Sequence, residues 1–484
     1  MLRKWDLQLS LDRSGGLPAH LQIAQQISAD IQRGRLPPGA SLPGSRELAA
    51  QLGINRKTAV LAYEELAAQG WLLTQGRRGT FVAPTLPLLS PRPTPAVARI
   101  AQATTRAESR FIDFGDGVPD SRLIPFDVLG RAYRRALIAA ARAGRLAYGD
   151  PRGELGLRQA LAEMLDMERG LNADAERICV VRGSQMGIYL AGRALLRPGD
   201  AVALDALSYP PAREAFRSLG ARPLDVEQDA AGMRPDALER LCLSQPVKAV
   251  YLTPHHQYPT TLMMPAERRL QLLALSYHYG FTIIEDDYDH EFHFSRSPVL
   301  PMASLDAAER IIYVGSLSKV LAPGLRVGYM VAEPAIIERC AADIMLIDRQ
   351  GNAVTELAVA ELMHSGELKR HIRRALRVYA TRRQTLAAAL DRELAGLANY
   401  TLPEGGLALW LRLPPWTDMR RLLADAAEAG VKALPGGAFS GDGGDIPALR
   451  LGFGALEAEQ LEQGVARLAR ALRRQIPAAG LRSS

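Results

Sequence analysis

Apolar residues follow two different rhythms along this chain. Near the start they recur at helical spacing. Ile23, Ala24, Ile27 and Ile31 lie three and four apart, which predicts a helix over 20–33 with Gly34 as its stop. After the turn PPGASLPGS a second helix is expected from Arg46 to Leu52, ending at Gly53. A third begins at Asn55, whose side chain suits an N-cap, and runs to Gly70 with Ala59, Ala62, Tyr63 and Leu66 inward. WLLT, QGRRG and TFVA then read as strand, glycine-bounded turn and strand.

From Phe111 onward the rhythm changes. ICVV (178–181), AVAL (201–204), AVYL (249–252), TIIE (282–285) and IIYV (311–314) are short, apolar and rich in β-branched residues. They predict buried strands of a mostly parallel sheet. Helical stretches at 184–196, 210–219 and 265–279 alternate with them, the pattern of an open α/β fold whose ligands bind at the carboxyl ends of the strands. Long helices around 353–393 and a smaller C-terminal α+β portion complete the body. Between the two rhythms, residues 85–110 follow Pro84 and hold Pro87, Pro91, Pro93 and Pro95 near their start, which marks a linker. The expected organisation is a compact unit of helices and a hairpin at 14–84, a Pro-rich linker at 85–110 and an α/β body at 111–484.

Composition narrows the classes. The chain has 484 residues, 48% hydrophobic and 23% charged, which excludes wholesale disorder. Cys179, Cys242 and Cys340 stand far apart, so neither a disulfide scaffold nor a cysteine zinc site is expected. No apolar h-region opens the chain and no apolar run reaches a membrane-spanning length, so the expected location is cytoplasmic. The net charge of +7 is unevenly placed. Residues 1–110 carry 14 Lys and Arg against 7 Asp and Glu, while the rest of the chain is balanced. A basic head on a neutral body fits nucleic-acid binding, and fits ordinary surface charge as well.

The N-terminal order of elements is that of a winged helix-turn-helix. Arg56, Lys57 and Thr58 at the start of the third helix are placed to meet base edges, and Arg46 together with Arg77 and Arg78 of the wing to hold phosphates. A small helical cap with a solvated basic face fits the same pattern. The stretch 17–82, with GRLPPG, LPGSRELA, INRKTAVLAYEELAAQG and GTFV, resembles a GntR-type winged helix along its whole length. The resemblance implies double-stranded DNA as a partner. Gly44 stands where that family more often has Ser.

The body carries a second set of motifs. GSLSKVLAPGLRVGY follows a strand: Lys319 can form a Schiff base, and Ser316, Ser318 and Arg326 can hold a phosphate dianion. TIIEDDYDHEF offers Asp286 to a pyridinium nitrogen and Tyr288 to a ring hydroxyl. The same segment raises a metal reading through Asp286, Asp287, His290 and His293. HEFH is not HExxH and no third ligand is obvious, so no metal is expected. Gly183, Ser184 and Gln185 form an anion seat between a strand and a helix. Tyr209 is placed to stack on a ring, His256 and Gln257 of PHHQYPT stand at a third strand's end as further candidate cofactor contacts, and Tyr148 and Arg450 come from AYGDPRGELGLR and ALRLGFG.

In this order the segments resemble a fold-type I pyridoxal-phosphate protein of the aminotransferase class over residues 111–484. The resemblance implies pyridoxal 5'-phosphate on Lys319, with Asp286 and Tyr288 at the ring and Ser184, Gln185, Ser316 and Arg326 at the phosphate. It implies Arg450 at a substrate carboxylate, and Tyr148 reaching a neighbouring subunit's phosphate, hence a homodimer. A GntR head, a Pro-rich linker and an aminotransferase-like body together resemble the MocR type of bacterial regulator. EDDYD and HHQYPT fit that type, while Thr261 departs from its usual glycine. The expected function is a transcriptional regulator that senses an amino compound, or the cofactor itself, through a Lys319 aldimine. The alternative is a working aminotransferase that carries a DNA-binding head.

Overall fold

The computed structural model describes residues 9–12, 17–86, 111–115, 117–144, 147–294, 300–305 and 310–476, the side chain of Arg77 apart. Nearly all of the expected linker lies outside these residues. The chain divides into two compact units, Met1–Thr105 and Arg106–Ser484.

In the first unit, α1 (Ala19–Gln32) buries Ile23, Ala24, Ile27 and Ile31, the stripe expected from their spacing. Helix α2 (Ser45–Leu52) ends on Gly53 in the left-handed conformation at φ +60°. In α3 (Arg56–Ala68) the Asn55 side chain accepts the Lys57 backbone N–H at 2.8 Å, and Ala59, Ala62, Tyr63 and Leu66 are buried. Strands β1 (Leu72–Thr74) and β2 (Thr80–Val82) pair antiparallel around the wing turn. Tyr63 Oη donates to the Pro43 carbonyl at 2.8 Å, which ties α3 to the turn before α2.

Gly44 is the N-cap of α2 and supplies no side-chain bond. Its φ of −62° suits any residue, and a Cβ there would meet nothing within 4 Å. Gly44→Ser therefore adds a cap and reduces unfolded-state entropy, together worth about 0.5–1 kcal/mol. Amide hydrogen exchange across α2 and α3 should slow about two- to fivefold at that stabilisation.

In the second unit a seven-stranded sheet is built from β3 (Ile178–Val181), β4 (Ala201–Asp205), β5 (Arg222–Val226), β6 (Val247–Leu252), β7 (Thr282–Asp287), β8 (Ile311–Ser316) and β9 (Gly328–Val331), in the order β3-β9-β8-β7-β6-β4-β5. All run parallel except β9, which is antiparallel to both neighbours. The five expected strands are present. The two unforeseen ones are β5, an edge strand with a part-polar sequence, and β9, hidden within GLRVGYMV. Helices cover both faces. Val202, Leu204, Ile284 and Val314 lie in one apolar core, and Val250, Leu252, Ile283 and Leu272 in another. A four-stranded sheet around Ala408–Arg412 and Ala448–Gly452 forms the C-terminal α+β portion with its own core of Leu409, Leu411, Leu451 and Leu468. Among the described residues no helix is long and apolar enough to cross a membrane, and all three cysteines are unpaired.

Candidate functional site

The carboxyl ends of the parallel strands converge on one cleft, lined by Ser184, Tyr209, Tyr251, Thr253, Tyr258, Asp286, Tyr288 and Lys319. Tyr251 and Asp286 sit near the carboxyl ends of β6 and β7, while Ser184, Tyr209 and Lys319 follow strands β3, β4 and β8, so the cleft opens at the strand ends. Alternation along β7 sends Asp286 into the cleft and Asp287 to the other side.

Asp286 is the electrostatic centre. It is 3% exposed, and burial pushes its carboxyl up to about 7, against the hydrogen bond from Tyr251. Tyr251 Oη donates to Asp286 Oδ2 at 2.7 Å, while Oδ1 is buried with no partner among the described residues. An unpartnered buried carboxylate oxygen costs roughly 1–3 kcal/mol or more. A cationic N–H delivered by a bound ring is the group that would satisfy it, so this acid fits pyridoxal phosphate. Lys319 Nζ lies 4.2 Å from the Tyr288 ring centroid. Tyr288 Oη donates to the His256 carbonyl at 3.1 Å. Tyr209 meets Tyr258 edge to face at 5.0 Å.

The anion seat lies at the N-terminus of α6 (Ser184–Leu195), in a body whose preceding helices are α4 (Phe126–Arg142) and α5 (Leu155–Arg169). Gly183 holds φ +81°, and a Cβ there would come within 2.7 Å of Arg326 Nη2. Glycine is what lets the guanidinium lie close beside the start of this helix. Arg326 Nη2 donates to the Arg182 carbonyl at 2.7 Å. Ser316 Oγ accepts the Ser318 N–H at 3.2 Å, and Ser318 Oγ donates to the Val327 carbonyl at 3.3 Å. Gln185 Nε2 donates to the Pro211 carbonyl at 3.0 Å, and its Oε1 is buried without a partner among the described residues.

Other expected residues occupy different positions. His256 Nδ1 pairs with Asp289 Oδ1 at 2.8 Å. Gln257 Nε2 donates to the carbonyls of Leu207 at 2.7 Å and Tyr258 at 2.8 Å, so its side chain builds the turn beside the cleft. Thr261 sits in that turn at φ +61°, the backbone conformation a glycine would take without strain. Arg450 is buried. Its Nη1 donates to the Pro259 carbonyl at 2.7 Å and its guanidinium lies 4.4 Å from the Tyr258 ring centroid. Tyr148 is 77% exposed, with the Arg349 guanidinium 4.6 Å from its ring centroid. In the first unit Arg46, Arg56, Lys57 and Arg78 are exposed and Thr58 is half-buried rather than exposed; the side chain of Arg77 lies outside the described residues.

Tyr251, Thr253 and Tyr258 line the cleft without having been singled out in sequence. Tyr251 carried a usable signal, because a tyrosine inside a fully buried strand needs a partner for its hydroxyl.

Two family models match the chain: "Aminotransferase class I and II" over residues 109–468 and "Bacterial regulatory proteins, gntR family" over residues 19–82. The HTH-type transcriptional regulator TauR of Rhodobacter capsulatus is 31% identical, covering 93% of this chain and 96% of its own length. The HTH-type pyridoxine biosynthesis transcriptional regulator PdxR of Corynebacterium glutamicum is 30% identical over 96% of this chain and 99% of its own. Among solved structures, LysN, an alpha-aminoadipate aminotransferase of Thermus thermophilus complexed with N-(5'-phosphopyridoxyl)-L-leucine, superposes with a TM-score of 0.70. It is 32% identical and covers 76% of this chain and 93% of its own.

Proposed function

The chain belongs to the MocR type of GntR-family regulators, with a pyridoxal-phosphate-dependent class I and II aminotransferase body, and on that premise we propose that it controls transcription in response to an amino compound or to the cofactor itself. The observation that carries this reading is the orphaned Asp286 oxygen in the same cleft as Lys319, on a chain that also presents Arg56 and Lys57 at a helix-turn-helix.

When bound, pyridoxal phosphate supplies an aldehyde that takes up amino groups. Lys319 provides the resident amine at Nζ and exchanges a proton there with an incoming one. Asp286 holds the ring's cationic nitrogen, with Tyr251 fixing the carboxylate. Tyr288 serves the ring hydroxyl and Tyr209 stacks on the ring. Ser184, Gln185, Ser316, Ser318 and Arg326 take the phosphate, while His256 and Gln257 shape the wall through the turn they bond. Arg450 receives a carboxylate of the effector, which places that effector among amino acids. Tyr148, exposed on its own subunit, reaches toward a second copy, so the acting form is a homodimer. The protein acts in the cytoplasm on double-stranded DNA.

The test joins two readouts on the full chain. Visible absorption should shift and stay shifted as an effective amino acid is added, and operator affinity should change over the same titration. An absorption change with no change in DNA binding overturns the sensing reading. A second reading, a working aminotransferase, is favoured by the joint presence of Lys319, Asp286 and Arg450. A 2-aminoadipate transaminase of Thermus thermophilus is also 34% identical over 75% of this chain. Sustained turnover of an amino acid with a keto acid would establish it.

At the head, replacing both Arg56 and Lys57 with Ala should weaken operator binding. Phosphate contacts would flatten the plot of log affinity against log salt by about 0.9 per residue, whereas a base contact would cost about 1–3 kcal/mol at one operator position. Fluorescence anisotropy over a salt series on matched and altered operators separates the two.

A further inference from the structure

On the side of β7 away from the cofactor cleft, three potential metal ligands meet. His255 follows β6, Asp287 ends β7, and His290 lies one turn further on. Each can offer one ligand atom, and the three atoms lie within 4.8 Å of one another. All three residues are buried, with exposures of 2%, 2% and 5%. Sequence spacing alone grouped Asp286, Asp287, His290 and His293 and did not include His255. The fold supplies it from a neighbouring strand end, 32 residues earlier in the chain.

The bonding around these side chains is incomplete. His255 is buried with both ring nitrogens unpartnered among the described residues, and Asp287 Oδ1 is unpartnered as well. A neutral imidazole carries one donor and one acceptor, so burying both without partners is costly. Asp287 Oδ2, by contrast, is well held, by His290 Nδ1 at 2.8 Å and by Tyr313 Oη at 2.6 Å. The His255 and His290 rings lie 4.7 Å apart, tilted by 31°. Behind them Arg169 is bonded to Glu291 and to the hydroxyls of Tyr313 and Tyr329, with Nη1 3.9 Å from Asp287 Oδ2. This guanidinium is thus engaged chiefly by Glu291, and the Asp287 carboxylate keeps an oxygen for another partner.

We propose that His255, Asp287 and His290 bind a divalent transition-metal ion of the zinc type. Two imidazoles and one carboxylate are a donor set suited to such an ion, and a water completes four-coordination. A tetrahedral zinc ion holds its donors about 3.3 Å apart, so the three side chains close in slightly as the ion enters. The Tyr313 hydroxyl on Asp287, and the bond between Asp287 and His290 Nδ1, are contacts that orient these ligands. The ion ties the exit of β6 to the exit of β7, directly behind the strand that presents Asp286.

The test uses untagged full-length protein carrying its cofactor. The protein is incubated with zinc, freed of excess by gel filtration, and its metal is measured by mass spectrometry. Wild type should retain about one zinc per chain, and His255→Ser and His290→Asn roughly a tenth of that, with the cofactor's visible band as the check that each variant is folded. Should a variant fail to fold, zinc K-edge absorption on wild type decides, since two imidazole ligands are expected in the first sphere. Wild type that retains far less than one zinc overturns the proposal and leaves the His255 nitrogens to buried water. Equal retention in folded variants, or a thiolate-dominated sphere, overturns it too.

Discussion

Asp286→Asn should lower the affinity for pyridoxal phosphate by roughly a hundredfold or more. The carboxylate is almost wholly buried and bonded on one oxygen only, by Tyr251 at 2.7 Å. A cationic ring nitrogen placed against the other oxygen would form a charge-assisted bond at a buried carboxylate, and removing one member of such a pair costs about 3–5 kcal/mol. Asparagine keeps the acceptor for Tyr251 and the side-chain volume, so what is lost is the charge. The cofactor-free protein should behave in the opposite way. There the carboxylate has an unmet oxygen, and its replacement by an amide removes a buried charge rather than a bond. Thermal unfolding of cofactor-free Asp286→Asn should therefore occur at or above the wild-type temperature, while equilibrium dialysis shows the weakened cofactor binding. A variant equally destabilised with and without the cofactor would mean that Asp286 is a structural residue.

The same acid shows how far sequence reading reached. Asp286 and Lys319 were legible because each follows a run whose apolar composition demands burial, which puts the next polar residues at strand ends. Ser184 was legible through Gly183 before it and Arg326 through the Ser-Lys motif it follows, and Gly183 makes room for the guanidinium at the helix N-terminus. The stripe of α1 and the inward face of α3 follow from spacing alone. What escaped was whatever depends on a neighbour distant in the chain. Strand β5 has Arg222, Pro223 and Asp225 among its five residues and is a strand only because β4 pairs with it. The bonds of the Gln257 amide to Asp205, Leu207 and Tyr258 were likewise not legible in sequence. His255 carried no signal at all beside His256, because its meeting with Asp287 and His290 is created by the pairing of β6 with β7. Thr261 was legible as a departure, and the backbone takes the left-handed geometry there despite the β-branched side chain.

Lys319→Ala should abolish the lysine-linked visible band and, with it, any response of DNA binding to amino compounds. The side chain is half-buried over the Tyr288 ring, a contact worth about 0.5–1 kcal/mol, so its loss leaves the fold intact. The phosphate seat and Asp286 remain, so the cofactor still binds, but without a covalent tether. An effector that works by displacing Lys319 has nothing to displace in this variant. A coupling between effector and operator, typically about 1–3 kcal/mol or 5- to 150-fold in affinity, should fall to none. Operator affinity without effector then reports which state the tethered lysine favours. A match to effector-loaded wild type means that freeing Lys319 is itself the signal; a match to effector-free wild type means that the effector's own contacts, Arg450 foremost, are required. If Lys319→Ala retains the full wild-type response, the amino compound acts elsewhere, and the cleft serves an enzymatic or purely structural purpose. Return of the wild-type band on adding a keto acid, after an amino acid has bleached it, would identify the enzymatic one.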